Sequence, residues 1–288
     1  MIKYNPKTWF SIIFTFHKSD TFYILWKELI VVALLTWGFV YLEIHYWNFG
    51  EKLSSLMQIF TLIGFVLSLL LVFRTNTAYD RWWEGRRLWG LLVNNTRNLA
   101  IKIKSMQLDH ETENYFARMI SNYAFAMKEQ LREGVKLEEL DLTENELNEI
   151  QKVNHKTSLI ARWIYQKLHD LKTSGRITQE EFLACDTNLG TFSDITGACE
   201  RIKGTPIPYS YSMFLKKFIF IYVATVPFAF IHVMGYYSIG VAVFIFYVLV
   251  SLEVLAEEIE DPFGRDDNDL PTDEISIKIR ANVKEILR

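Results

Sequence analysis

Leu53–Phe73 reads LSSLMQIFTLIGFVLSLLLVF, 21 residues without a charge, bracketed by Lys52 and Arg74. A helix needs about 20 such residues to cross a bilayer. Outward from this stretch, Phe218–Leu252 is a 35-residue run with no charged side chain, only His232. It is too long for one span and fits two. The break is Gly235-Tyr236-Tyr237-Ser238-Ile239-Gly240, with aromatics where an interfacial belt belongs. Leu29–Leu42 is a shorter apolar run between Glu28 and Glu43. With Trp26 and Trp47 flanking it, it reads as a tilted first span. The expectation is four spans, over about 25–47, 53–73, 216–235 and 238–256.

The basic residues are placed asymmetrically. Lys3, Lys7, Lys18 and Lys27 precede the first span, Arg74, Arg81, Arg86 and Arg87 follow the second, and Lys216 and Lys217 precede the third. The loop between the first two spans has only Lys52, and the loop between the last two has none. Positive residues stay on the cytoplasmic side. Both termini and the long middle segment are therefore expected in the cytoplasm, on a multi-pass protein of the cell membrane. The first residues, MIKYNPKTWF, lack the apolar core and small-residue cleavage site of a signal peptide.

Between Arg74 and Thr205 the chain is mostly hydrophilic. It has no proline from Lys7 to Thr205, and helix formers dominate. Apolar residues recur at helical spacing, as in Leu88, Leu91, Leu92 and Val93 and then Leu99, Ile101 and Ile103. No stretch alternates as a strand. Breaks are expected near Gly134, Leu142-Thr143 and Gly175, with a cap at Thr143 and a capping box at Thr178-Gln179-Glu180-Glu181. The reading is an all-α chain whose second and third spans run into a helical bundle (about 74–213 and 257–288), with residues 1–288 forming one folding unit. A net charge of −3 leaves no general basic footprint for nucleic acid. Two cysteines, Cys185 and Cys199, exclude a disulfide scaffold. No GxSxG, HExxH, Walker A or GxGxxG motif is present and the six histidines are scattered, so no enzyme is expected.

Three blocks carry a family resemblance. Phe73-Arg74-Thr75-Asn76-Thr77-Ala78-Tyr79-Asp80-Arg81-Trp82-Trp83-Glu84-Gly85-Arg86-Arg87-Leu88-Trp89-Gly90 resembles the arginine- and tryptophan-rich block after the second span of the bestrophins. Gly204-Thr205-Pro206-Ile207-Pro208-Tyr209-Ser210-Tyr211 resembles the Ile-Pro segment entering their third span. Glu257-Glu258-Ile259-Glu260-Asp261-Pro262-Phe263-Gly264, followed by an Asp-rich stretch, resembles their acidic segment after the fourth. The brief loops look like a bacterial bestrophin homologue. The resemblance implies a homopentamer around a central ion pathway, with a hydrophobic neck in the membrane and a second constriction at the cytosolic end. Animal bestrophins are calcium-activated anion channels, whereas some bacterial relatives conduct cations.

By resemblance the neck falls on Phe65, Leu69 and Phe73. Spaced four apart, they share a helix face. Three apolar rings can gate by dewetting. The bland alternative is an ordinary lipid-facing stripe. Gly64 and Ser68 suit close helix packing. The cytosolic aperture falls on Glu180, where relatives often carry an aliphatic residue; a register slip of one would put Gln179 or Glu181 there. A ring of glutamates favours cations, so the expected permeants lean to sodium and potassium, with chloride close behind. The alternative is that Glu180 and Glu181 are first-turn acids favoured by the helix dipole.

The resemblance also places Asp266 and Asp269 where animal bestrophins hold calcium, although Arg265 and Asn268 replace acidic residues of that pattern. No cofactor is required, and calcium is a candidate. The alternative is a solvated loop in which Asp269 caps the next helix. Asp80 and Glu84 lie at helical spacing among Arg74, Arg81 and Arg87 and are expected to pair with them between helices. Trp82, Trp83 and Trp89 suit packing between subunits or the lipid interface. His232 is placed near the outer end of its span. Expected partners are monovalent ions, the lipid bilayer and further copies of the chain. A second functional reading keeps the topology but makes the protein a non-conducting membrane scaffold or sensor.

Overall fold

The structure, a computed structural model, describes residues 21–47, 57–132 and 134–288, and no strand occurs among them. Helix α1 (Thr21–Leu42) runs into a π-helical turn at Glu43–Trp47. Then come α2 (Met57–Ser105), α3 (His110–Gln130), a 3-10 turn at Leu137–Glu139, α4 (Glu144–Ile150) and α5 (Lys156–Thr173). The remaining helices are α6 (Gln179–Gly204), α7 (Tyr209–Met234), α8 (Tyr237–Glu260) and α9 (Thr272–Ile286).

Four helical segments are long and apolar enough to cross a membrane: Thr21–Trp47, Met57–Ser105, Tyr209–Met234 and Tyr237–Glu260. They coincide with the four expected spans; residues 53–56 of the second lie outside the described residues. The 49 residues of α2 rise about 74 Å at 1.5 Å each. That is more than twice the ~30 Å of a hydrocarbon core, so a large part of α2 lies beyond the bilayer. The charges that begin at Arg74 mark where the apolar part stops.

The chain packs as two compact units. The spanning unit takes the chain up to Arg81 together with Pro206–Glu260. Its core joins Leu67 and Leu71 of α2 to Leu215, Ile219 and Val223 of α7 and Leu249 of α8. A Cβ on Gly64 would stand 2.6 Å from the Tyr222 hydroxyl, so the small residue is what lets α7 approach. Ser68 does something else: it is exposed, and its hydroxyl donates to the Gly64 carbonyl at 2.8 Å. Helix α7 continues through Pro227, whose ring nitrogen leaves one carbonyl of the preceding turn without its helical donor.

The second unit takes Trp82–Thr205 and Asp261–Arg288. It is a helical bundle whose core includes Trp89, Leu92, Leu99, Phe116, Ile160, Phe192, Phe263 and Val283. The ring of Tyr123 packs 5.0 Å from that of Phe192. Its hydroxyl donates to the Phe192 carbonyl at 2.9 Å and lies 2.7 Å from the Thr196 hydroxyl, so burial leaves no polar atom of this tyrosine stranded. Of the apolar positions read from spacing, Leu92, Leu99 and Ile103 are buried, but Leu91 and Ile101 face outward. The expected breaks fall as read. Gly134 and Gly175 take φ of +123° and +71°, backbone that favours glycine. Thr143 and Thr178 each close a two-way capping box, with Glu146 and Glu181.

Candidate functional site: an apolar helix face, an exposed helix start and an acidic loop

On α2 of the spanning unit, Leu67, Leu71, Arg74 and Ala78 are buried while Phe65, Leu69 and Phe73 are 66%, 45% and 56% exposed. One face of the helix is thus consumed by α7 and α8, and the row of two phenylalanines and a leucine is left uncovered in a single chain. Water is a poor neighbour for such a row. It needs lipid or further copies of the chain.

Arg74 closes the buried face. Its Nη2 donates to Glu260 Oε2 at 2.7 Å, and its Nε lies 3.6 Å from Glu253 Oε2. Arg81 donates from Nε to the Glu260 carbonyl at 3.0 Å. Glu260 Oε1 also accepts from the Ile207 N–H at 2.6 Å, so one carboxylate ties α2, α8 and the entry to α7. The partners of Arg74 correct the expectation that Asp80 and Glu84 would serve it. The acidic end of α8 faces Arg74, and Glu84 turns instead to Arg201 of α6, at 2.8 Å. Two of the tryptophans also do other work: Trp89 is fully buried, and Trp82 donates from Nε1 to the Asn268 carbonyl at 3.0 Å. Trp83 is exposed, and so is His232 in the last turn of α7.

In the bundle, Glu180 is the second residue of α6. The three candidates for the aperture differ sharply in what they are free to do. Glu181 is committed to the cap: its Oε2 accepts from the Thr178 N–H at 2.8 Å while its own N–H donates to Thr178 Oγ1. Gln179 carries no charge. Glu180 is exposed. One helical step further, Leu183 is 51% exposed, an uncovered apolar side chain at i+3 from Glu180. Sequence alone did not single it out, because only burial separates it from the core leucines of the same helix.

The acidic loop, 261–271, is tied inward. The Leu270 N–H donates to the Pro262 carbonyl at 2.9 Å, and the Asp269 N–H to the Asp266 carbonyl at 3.0 Å. Asp269 is 2% exposed, and its Oδ2 accepts from the Asp266 N–H at 2.6 Å. It does not cap α9, whose N-cap is Pro271. Gly264 makes room for this carboxylate, since a Cβ there would sit 2.6 Å from Asp269 Oδ2. Gly85 makes room for the loop itself, against the ring of Phe263.

Beneath the loop lies a network the sequence did not announce. Lys128, 2% exposed, reaches Glu129 at 3.2 Å, Glu139 at 2.5 Å and Asp273 at 2.8 Å. Arg132 contacts Glu129 at 3.0 Å and Asp273 at 2.8 Å, and donates to the carbonyls of Phe263 and Gly264 at 3.2 Å each. Arg265 adds a contact to Glu129 at 3.2 Å. The hydrogen bond from Arg132 holds the Asp273 carboxyl well below its usual value of 3.8, against burial, with Lys128 assisting. Burial pushes Glu129 upward, but Lys128 and Arg132 outweigh it and leave the carboxyl lowered.

A calcium ion takes six to eight oxygen ligands, several of them carboxylate. The cavity at the loop, about 300 Å³, is lined by Asp266, Asp269 and Asp273 but equally by Arg132, Lys136 and Arg265. Asp269 is engaged by backbone and Asp273 by two cations. Among the described residues no three His, Cys, Asp or Glu side chains converge as a metal site. In this chain these side chains serve loop closure. The two cysteines are equally inert: burial pushes the thiols of Cys185 and Cys199 up to about 11 and about 12.

The arrangement has known counterparts. The family model for the bacterial/fungal bestrophin protein matches residues 1–285. A Nostoc protein named voltage-dependent anion channel-forming protein is 36% identical over 228 residues, covering 77% of this chain and 74% of its own length. An Escherichia coli K12 protein of the same name is 29% identical over 288 residues, covering 99% and 94%. The crystal structure of a bacterial bestrophin homologue from Klebsiella pneumoniae superposes with a TM-score of 0.81 at 27% identity, over 90% of this chain and 98% of that one. With four apolar spanning helices, a matching fold and a family match over nearly its whole length, this chain is a multi-pass membrane protein that belongs to the bestrophin family.

Proposed function

We propose that the protein is one subunit of a homopentameric ion channel, passing monovalent ions passively along a central pathway, and that it is not an enzyme. The observation that carries this reading is the uncovered row Phe65, Leu69 and Phe73 opposite a fully consumed helix face. A closed ring of copies would turn that row inward as three apolar constrictions, where ions lose their hydration. The channel names of the Nostoc and Escherichia coli relatives support it. Both termini and the bundle lie on the cytoplasmic side in this reading, as the lysine and arginine placement favours.

Glu180 is the selectivity element in this proposal. It is exposed at the start of α6 while its neighbour Glu181 is spent on the cap. Five such carboxylates around an aperture would favour sodium and potassium over chloride. A second reading, anion conduction, is favoured by the names of the relatives. Purified protein in a planar bilayer under a sodium chloride gradient decides between them. A reversal potential near the sodium equilibrium value supports the cation reading, and Glu180→Ala should then move it toward chloride. A potential near the chloride value overturns the role of Glu180. Absence of current both in the wild type and in a Phe65, Leu69 and Phe73 to Ala variant overturns the channel and leaves the scaffold.

A further inference from the structure

At the polar end of the spanning unit, four charged side chains act on Glu253. Arg74 and Lys216 are positive; Glu253, Glu257 and Glu260 are negative. Two pairs are made: Arg74 with Glu260 at 2.7 Å, and Lys216 with both oxygens of Glu257 at 3.0 and 3.1 Å. Glu253 is left without a hydrogen bond, as are Nε and Nη1 of the facing Arg74. Its side chain is 4% exposed, and its one ionic contact among the described residues is Arg74 Nε at 3.6 Å, beyond hydrogen-bond range. Among the described residues neither of its oxygens has a hydrogen-bond partner. A buried carboxylate in that condition is costly unless something donates to it.

Glu253 lines a cavity of about 270 Å³ between α7 and α8. That is room for several waters. The walls, however, are Ile219, Phe220, Phe246, Val250 and Val254, with Lys216 and Glu257 completing the lining. Such walls suit hydrocarbon, not a chain of waters. A bare metal ion would find one open carboxylate and otherwise carbon. A chemistry that suits both the open carboxylate and the apolar walls is a primary ammonium on an apolar body. Its three N–H donors answer the two open oxygens of Glu253, and its carbon chain covers the phenylalanines and valines.

We propose that the cavity between α7 and α8 is a binding site for a primary alkylammonium, held by Glu253. The ammonium can come from an aminophospholipid headgroup or from a free hydrophobic amine. The site is independent of whether the protein conducts, so its test is a binding measurement. Full-chain protein in an amine-free detergent is titrated with n-octylamine and, separately, n-octanol, following the thermal unfolding midpoint. Octylamine should raise the midpoint saturably and octanol should not. Glu253→Gln should weaken the octylamine effect at least tenfold, and Val250→Phe, which fills the cavity but keeps the carboxylate, should abolish it. Equal effects of amine and alcohol on the wild type, or an octylamine response unchanged by Val250→Phe, overturn the proposal even if Glu253→Gln does not fold. Repeating the titration in nanodiscs separates the sources. Loss of the octylamine response in phosphatidylethanolamine but not phosphatidylcholine assigns the site to the lipid; equal responses in both assign it to a free amine.

Discussion

Replacing Arg132 by alanine probes the ionic network that seats the acidic loop. Three losses add. Glu129, 2% exposed, loses one of its cations but keeps Lys128 and Arg265 at 3.2 Å each. The carbonyls of Phe263 and Gly264 lose a charged donor at 3.2 Å. Asp273, whose side chain is 55% exposed, loses its fork but turns to water at little cost. Breaking a buried ion pair from one side costs about 3–5 kcal/mol, and the retained partners place this case at the lower end, about 3 kcal/mol. For a unit of this size that lowers the thermal midpoint by about 6–12 °C. Arg162→Ala is the control, because the Arg162–Glu149 pair is exposed on both sides and worth at most ~1 kcal/mol. The assay is tryptophan-monitored unfolding of the purified protein in detergent. The pH dependence carries a sign of its own. Arg132 depresses the carboxyls of Glu129 and Asp273, so its contribution is present above their ordinary values of 4.5 and 3.8 and is lost as pH falls through the lowered ones. The gap between wild type and Arg132→Ala should therefore narrow below about pH 4. A loss no larger than that of Arg162→Ala, or a gap that widens in acid, would refute the reasoning.

Three further outcomes follow from the geometry. Gly64→Ala puts a methyl 2.6 Å from the Tyr222 hydroxyl and should lower the midpoint by a few degrees; Tyr222→Phe in the same chain should recover most of it, and a failure of that rescue in a double-mutant cycle would show that α7 is held off by something else. Thr178→Ala should cost ~1 kcal/mol through the lost cap, while Glu180→Gln, outside the cap, should leave the unfolding midpoint within about 1 °C. Cys185 and Cys199, with thiols pushed up to about 11 and about 12, should resist a thiol reagent at pH 8 until denaturant is added; rapid labelling of the native protein would contradict their burial.

The membrane part was legible because hydrocarbon thickness imposes a length on any crossing helix. Leu53–Phe73 and Phe218–Leu252 satisfy that length without help from tertiary context. Caps were legible for a related reason: a capping box is local, and Thr143 and Thr178 close with residues three positions on. Asp109, which caps α3 by accepting from the Thr112 N–H at 2.9 Å, lacked the two-sided pattern and escaped notice. Long-range ion pairs were not legible at all. The spacing of Asp80 and Glu84 suggested near partners, but Arg74 meets residues more than 170 positions away, and nothing in a sequence ranks such distant choices. The loop was half legible. Its acidity was plain, but that Asp269 points inward depends on Gly264 and on the cations of α3 below it.

The bundle begins at Trp82 and is finished by Phe263, Leu270, Ile279, Val283 and Leu287. Between these two contributions the chain must thread α7 and α8 through the bilayer. During synthesis the earlier helices, α3 to α6, therefore emerge with Trp89, Phe116 and Phe192 lacking their last neighbours, and they must wait while the membrane machinery handles two more spans. Folding usually rewards whatever part of a domain appears first; here closure is withheld until insertion is complete. A subunit whose last two spans fail to insert would then carry an open, sticky bundle, recognisable to proteases and chaperones, and would be removed before it could join an assembly.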